Sequence, residues 1–199
     1  MGAAEAGAAL NAVGAAGALP PVVHVGRETP AALRAMLAQA GVRLNPLAEQ
    51  LFSDTRFEVP ARPRPFAVAA VQVAALGHAE GGTFEAIARS AARQGLQPCP
   101  LALAPWLRLQ WLAQPEAPTG APSARHRAPP GAFTVAGEPP PDAPDLPWGF
   151  YLRRVDGVPW LRGYRCWSGH VWAAEDVLVF RQAPTAAGPG ASPIPSPPS

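Results

Sequence analysis

Apolar residues in the last third of the chain alternate with arginines and aromatics in the two-residue period of a pleated strand. Residues 150–155 (FYLRRV) and 158–164 (VPWLRGY) flank Asp156-Gly157. An Asp-Gly pair supplies the positive φ angles of a two-residue type I′ turn, so the two runs predict an antiparallel hairpin. Such a short turn fixes the register. On one face Val155 meets Val158, Arg153 meets Trp160 and Tyr151 meets Arg162; on the other Leu152 meets Leu161 and Phe150 meets Gly163. The second face is an aliphatic strip suited to a core, and the first is a ladder of arginine against aromatic. Pro159 falls opposite Arg154, where its missing N–H marks a sheet edge. Residues 177–180 predict a further strand after a turn at Ser168-Gly169.

Upstream, the period changes. Residues 22–25 read as a short strand. Thr29-Pro30 is a cap followed by a proline start, and Leu33, Met36, Leu37 and Ala40 continue at helical spacing to Gly41. Asn45-Pro46 repeats that start, with Leu47, Leu51 and Phe52 turned inward. The two predicted helices, joined by residues 41–44, form a compact pair. Residues 60–65 (PARPRP) form a polyproline-like spacer, and residues 66–76 (FAVAAVQVAAL) a largely buried strand. Gly81-Gly82-Thr83 opens a third helix, with Phe84, Ile87, Ala88 and Ala91 inward, Arg89 and Arg93 outward, and Gly95 as its stop. Leu107, Leu109 and Trp111 alternate with Arg108 and Gln110. That favours a half-buried strand over the helix that Leu103, Trp106, Leu107 and Trp111 would also allow. Residues 132–136 (AFTVA) predict another strand between proline clusters.

The expected fold is α+β: N-terminal helices with a strand, then a small antiparallel C-terminal sheet built on the Asp-Gly hairpin. Ten prolines between 115 and 147 separate the parts. The expected order is a flexible leader (1–20), an N-terminal α/β module (21–115), a Pro-rich linker (116–130), a C-terminal β module (131–182) and a disordered tail (183–199).

Composition removes several kinds of chemistry. The 16 basic residues are all arginine, so Walker-type and Schiff-base lysines are excluded. A net charge of +2 does not demand a polyanionic partner. Cys99 and Cys166 lack CxxC spacing and fit reduced thiols. The leader has no basic residue before Arg27, unlike a secretory signal, and no apolar run reaches membrane-spanning length, so a soluble cytoplasmic protein is expected.

Two blocks, GLQPCPLALAPWLRLQWLAQPE and GFYLRRVDGVPWLRGYRCWSGHVW, with HRAPPGAFTVA between them, carry a resemblance. They resemble an uncharacterised family of small bacterial proteins with the pattern "GL.LCPLELGPxLRLQYLDQPEG … APPGSxTVAS … GFYLRRIDGVLWLRGYR … HVW..DDVFVF". The resemblance covers most of 30–180. Where the family pattern has Glu, Gly and Asp, this chain has Ala102, Ala104 and Ala113, and Trp111 replaces a tyrosine. Arg108, Gln110 and Gln114 are retained. Some members of the family carry a helicase label. This chain gives it no support, having no nucleotide-binding loop and no lysine.

The foremost candidate site is the Arg/aromatic face: Arg153, Trp160, Arg162, Tyr164, Arg165, Trp167 and His170, with Arg108 and Gln110 as neighbours. Such a face suits a non-catalytic binding protein with a protein or small-ligand partner; the same residues could instead stack on one another as a structural ladder. Nucleic-acid binding is a weaker alternative, disfavoured by the small net charge. An enzymatic alternative uses His170 with Asp176 or Cys166. Asp142, Asp145, Glu175 and Asp176 fit caps and solvated turns better than acid–base roles. His24, His78, His126 and His170 lack metal-ligand spacing, and neither cofactor nor metal is expected.

Overall fold

A computed structural model describes residues 18–118, 127–140 and 146–184. Most of the leader (1–17) and tail (185–199), part of the linker (119–126), residues 141–145, and with them His126, Asp142 and Asp145, lie outside the described residues.

Strand β1 (Val22–Val25) leads into helix α1 (Pro30–Gln39). Thr29 Oγ1 accepts from Ala32 N at 3.2 Å, and Pro30 sits where a helical N–H has no intrahelical partner. Strand β2 (Arg43–Leu44) precedes helix α2 (Pro46–Phe52), capped by Asn45. The inward residues of α2 are Ala48, Leu51 and Phe52. Leu47, expected inward, is half-buried, because α2 lays its Leu47–Ala48 backbone against Gly163. The expected α1–α2 pair is not the packing unit: α2 lies on the hairpin and α1 against the helix at 103–110, with an Arg34–Glu49 ion pair (2.6 Å) bridging α1 and α2.

Strand β3 (Arg64–Gln72) starts inside the expected proline spacer and ends in a 3₁₀ turn (Val73–Leu76). Strand β4 (Gly82–Thr83), helix α3 (Phe84–Arg93) and strand β5 (Leu96–Gln97) follow. Residues Leu103–Gln110 form helix α4, not the expected strand. The stretch has no β-branched residue, and Pro105 falls in the first turn, where its missing N–H breaks no helical bond. Leu103, Ala104, Leu107 and Arg108 are its buried face, so the helical spacing outweighed the short alternation.

Strands β6 (Phe133–Val135), β7 (Gly149–Val155), β8 (Val158–Tyr164), β9 (Val171–Trp172) and β10 (Val177–Gln182) complete the fold, which is α+β. The hairpin register is as expected throughout, from Val155 opposite Val158 to Phe150 opposite Gly163, with positive φ at Asp156 and Gly157. The sheet is not a small antiparallel C-terminal one. Eight strands form a mixed sheet in the order β1-β3-β10-β6-β7-β8-β2, with β5 also paired to β10. The β10–β6 and β2–β8 pairs are parallel. Residues 21–115 and 131–182 both contribute strands to it. A second, two-stranded sheet joins β4 to β9.

Alternation along β10 assigns the two faces. Val179 joins a core with Phe150, Leu152, Leu161 and the buried sides of α1, α2 and α4. Leu178 and Phe180 join a core with Val71, Trp148, Trp172 and α3's Phe84, Ile87 and Ala91. Among the described residues, no helix is long and apolar enough to cross a membrane.

Candidate functional site

The Arg/aromatic face of the hairpin divides into two halves with different character. Near the turn, cations and rings meet one another. The Arg162 guanidinium lies 5.1 Å from the Trp160 ring centroid and that of Arg43, from β2, lies 5.9 Å away. Arg153 is opposite Trp160 in register, but its Nε donates to Pro130 O at 2.9 Å. The cations on Trp160 are therefore a neighbour two residues along and a residue of the adjoining strand. Such contacts contribute about 0.5–1 kcal/mol each at exposed positions.

At the far end of the hairpin the face opens into a cavity of about 230 Å³. Tyr151 reaches it from β7, Tyr164 from the end of β8, Trp167 and His170 from the following loop, and Trp172 from β9. The rings meet edge to face: Tyr164 and Trp172 at 5.8 Å and 89°, His170 and Trp172 at 5.1 Å and 88°, Trp167 and His170 at 5.0 Å and 72°. His170 and Trp172 are buried, whereas Trp167 is 51% exposed and forms the rim. Arg127 and Arg165 also line the cavity, and Arg127 is paired with Glu175 at 3.1 Å. Burial raises the phenols of Tyr164 and Tyr151, so both stay protonated and neutral.

One polar group stands out. Trp172 Nε1 is buried and has no hydrogen-bond partner among the described residues. Indole nitrogen is a donor only, and a buried donor left unpaired costs roughly 1–3 kcal/mol.

The wall that carries this group is held from far away in sequence. Gly82 pairs with Trp172 and Thr83 with Val171, immediately before α3 begins. Gly81 has φ +84°, and a Cβ there would run into the Trp172 carbonyl oxygen. The 165–172 loop is thus fastened to the start of α3.

Of the residues singled out in the sequence, Tyr164, Arg165, Trp167 and His170 are brought together here. Arg153, Trp160 and Arg162 belong to the ladder, and Arg108 and Gln110 lie elsewhere. Arg108 is fully buried, contrary to its expected place on a solvated strand side, because it sits on the inner face of α4. Its guanidinium donates to Trp111 O and, at 2.5 Å, to Gln114 Oε1. Gln114 Nε2 in turn donates to Leu152 O and Gly131 O, both at 3.2 Å. This relay ties α4 to β7. Gln110 turns the other way, to the main chain of His24 at the free edge of β1.

Tyr151, Trp172 and Arg127 were missed. Tyr151 was visible only as a register partner of Arg162, and Val171-Trp172 is too short a strand to announce itself without Gly82-Thr83 beside it.

Cys166 and His170 line the same cavity. Burial pushes the Cys166 thiol up to about 11, so it is protonated at neutral pH, opposite to what a nucleophile requires. Asp176 is not a lining residue; its Oδ2 accepts from Ala173 N at 2.8 Å and closes the 173–176 turn. No cluster of three or more His, Cys, Asp or Glu that would suit a metal occurs among the described residues. A larger depression, about 480 Å³, lies beside Arg56, Arg64 and Arg181, but these have protein partners: Asp54, the Phe66 ring and Pro98 O. Both cysteines are free thiols.

No protein-family model, curated protein or solved structure matches the chain.

Proposed function

We propose that this is a small non-catalytic binding protein whose ligand occupies the ring-lined cavity at the far end of the hairpin. The observation that carries this reading is a cavity of about 230 Å³ walled by aromatic side chains from β7, β8, β9 and the intervening loop, with Arg127 and Arg165 beside them. Small-molecule sites combine apolar and aromatic walls with a few placed polar groups, and this cavity has that make-up. The protonated Cys166 thiol and the engaged Asp176 carboxylate favour binding over nucleophilic chemistry. The ladder around Trp160 serves the sheet, and the affinity for the bacterial family pattern remains part of this proposal.

The test is a titration with a library of small aromatic and polar fragments, followed by the indole N–H signals of the tryptophans. Binding should move the Trp172 signal saturably and leave that of Trp160 in place. An Arg153→Ala, Trp160→Ala double variant should bind as the parent does. If that variant folds and loses binding, the site runs along the ladder instead; if no fragment moves the Trp172 signal, the cavity is not a ligand site.

A further inference from the structure

We infer that the ligand of this cavity is a planar aromatic ring carrying a negative charge, its ring among the tyrosines and tryptophans and its anion at the arginines. The inference rests on reading the cavity as a ligand site, and it concerns what that site selects. Size limits the ligand first. Sites for drug-sized molecules run from about 300 to 1,000 Å³, whereas this one, at about 230 Å³, suits a single ring system with a short substituent.

Shape limits it next. Edge-to-face contacts between Tyr164, Trp172 and His170 hold the walls at steep angles to one another, so a flat guest can stack on one ring while meeting the edge of the next.

Charge decides between the two kinds of guest that aromatic walls attract. Ring faces draw cations, and cages of this make-up serve quaternary ammonium groups when no competing cation is present. Here Arg127 and Arg165 line the cavity, and no carboxylate does among the described residues. Glu175 neutralises Arg127 in part, from outside the lining. Arg165 is exposed and forms no ion pair among the described residues. A cationic guest would meet uncompensated positive charge, and an anionic group would satisfy it. Guanidinium suits carboxylate and phosphate equally, so the ring and its anion could come from a free aromatic acid or from a nucleotide.

Calorimetric titration of the full chain with five probes separates these outcomes. The probes are 4-hydroxybenzoate and uridine 5′-monophosphate, their neutral counterparts 4-hydroxybenzyl alcohol and uridine, and tetramethylammonium. At least one anionic probe should bind about tenfold or more tightly than its neutral counterpart, a difference of about 1.4 kcal/mol. Which of the two does so identifies the source. Arg165→Gln, at an exposed position where folding is not at stake, should erase that advantage, and Trp172→Phe should weaken anionic and neutral rings together. Equal binding of neutral and anionic rings, or preferential binding of tetramethylammonium, overturns the inference while leaving the cavity a ligand site. Failure of all five overturns it too, and the fragment titration of Trp172 then decides separately whether the cavity binds anything.

Discussion

The carboxamide of Asn45 and the main chain of Gly163 exchange two hydrogen bonds: Nδ2 donates to Gly163 O at 2.9 Å, and Gly163 N donates to Oδ1 at 2.8 Å. The same Oδ1 accepts from Ala48 N at 2.9 Å. One side chain thus starts helix α2 and docks it on strand β8. A Cβ at Gly163 would lie 2.5 Å from the Leu47 carbonyl carbon, within the helix backbone. Gly163→Ala should lower stability by about 1–3 kcal/mol through overpacking. Asn45→Ala should cost about 0.5–2 kcal/mol for the cap alone, with the Gly163 groups left unpaired in addition. Asn45→Asp keeps both accepted bonds and should fall between Asn45→Ala and the parent. Urea-unfolding midpoints check the series; equal losses for Asp and Ala would place the energy in the bond to Gly163 O.

Arg108 is buried without a carboxylate partner among the described residues, and burial, with Arg154 nearby, pulls its pKa down to about 10. Its charge is a cost that packing and the two hydrogen bonds it donates, to Gln114 Oε1 and Trp111 O, offset. Arg108→Ala should lower stability by about 2–5 kcal/mol, because it leaves a cavity under β7. Arg108→Met fills the space without the charge and should change stability by no more than about 1–2 kcal/mol. Chemical denaturation of both variants tests this. A methionine variant as weak as the alanine one would show that the relay to Gln114, rather than volume, holds this region.

Alkaline pH should weaken the fold through its thiols. Burial pushes Cys99 up to about 12 and Cys166 up to about 11 from the ordinary 9.0. The folded chain keeps these protons at pH values where the unfolded chain releases them. Their contribution is complete below the unfolded pKa and declines as pH rises from there through the folded values. Cys99→Ala should therefore flatten the loss of stability between about pH 9 and about pH 11, measured as unfolding midpoints across that window. The raised phenols of Tyr151 and Tyr164 act in the same direction and should leave a residual slope.

Gln110 completes the outer edge of β1. Its Oε1 accepts from His24 N at 3.0 Å and its Nε2 donates to His24 O at 2.8 Å, the two bonds a neighbouring strand would make. Gln110→Ala should remove the hydrogen-exchange protection of the His24 amide, with a global loss of only about 0.5–1.5 kcal/mol. Unchanged protection at His24 would mean that solvent reaches that edge no more easily without the side chain.

These residues show what the sequence could and could not tell. The hairpin was legible to the last pair because Asp156-Gly157 fixes register by itself, and α1 and α3 were legible because Thr29 and Thr83 mark their starts. Helix α4 was not: Leu107, Leu109 and Trp111 satisfy a strand's period while Leu103 and Leu107 satisfy a helix's, and the lack of β-branched residues and the place of Pro105, with packing on β1 and β7, decide for the helix. Part of the cavity was legible as a density of aromatics and arginines after Tyr164. That this end encloses space while the Trp160 end closes on itself depends on the pairing of Gly82-Thr83 with Val171-Trp172, a contact with no local signature. The roles of Arg108 and Gln110 were hidden for the same reason, since one helix turns them to opposite surroundings.

Strand β10 is the last of the described strands and lies inside the sheet, between β3 on one side and β6 and β5 on the other. During synthesis every other described strand is therefore made before the one that joins them. Until residues 177–182 emerge, β3 and β6 present unpaired edges, and the two cores that meet across β10 have no common wall. The joining strand thus comes after both of the sets it joins, and a nascent chain halted short of Val177 would hold two sets of strands awaiting the one between them.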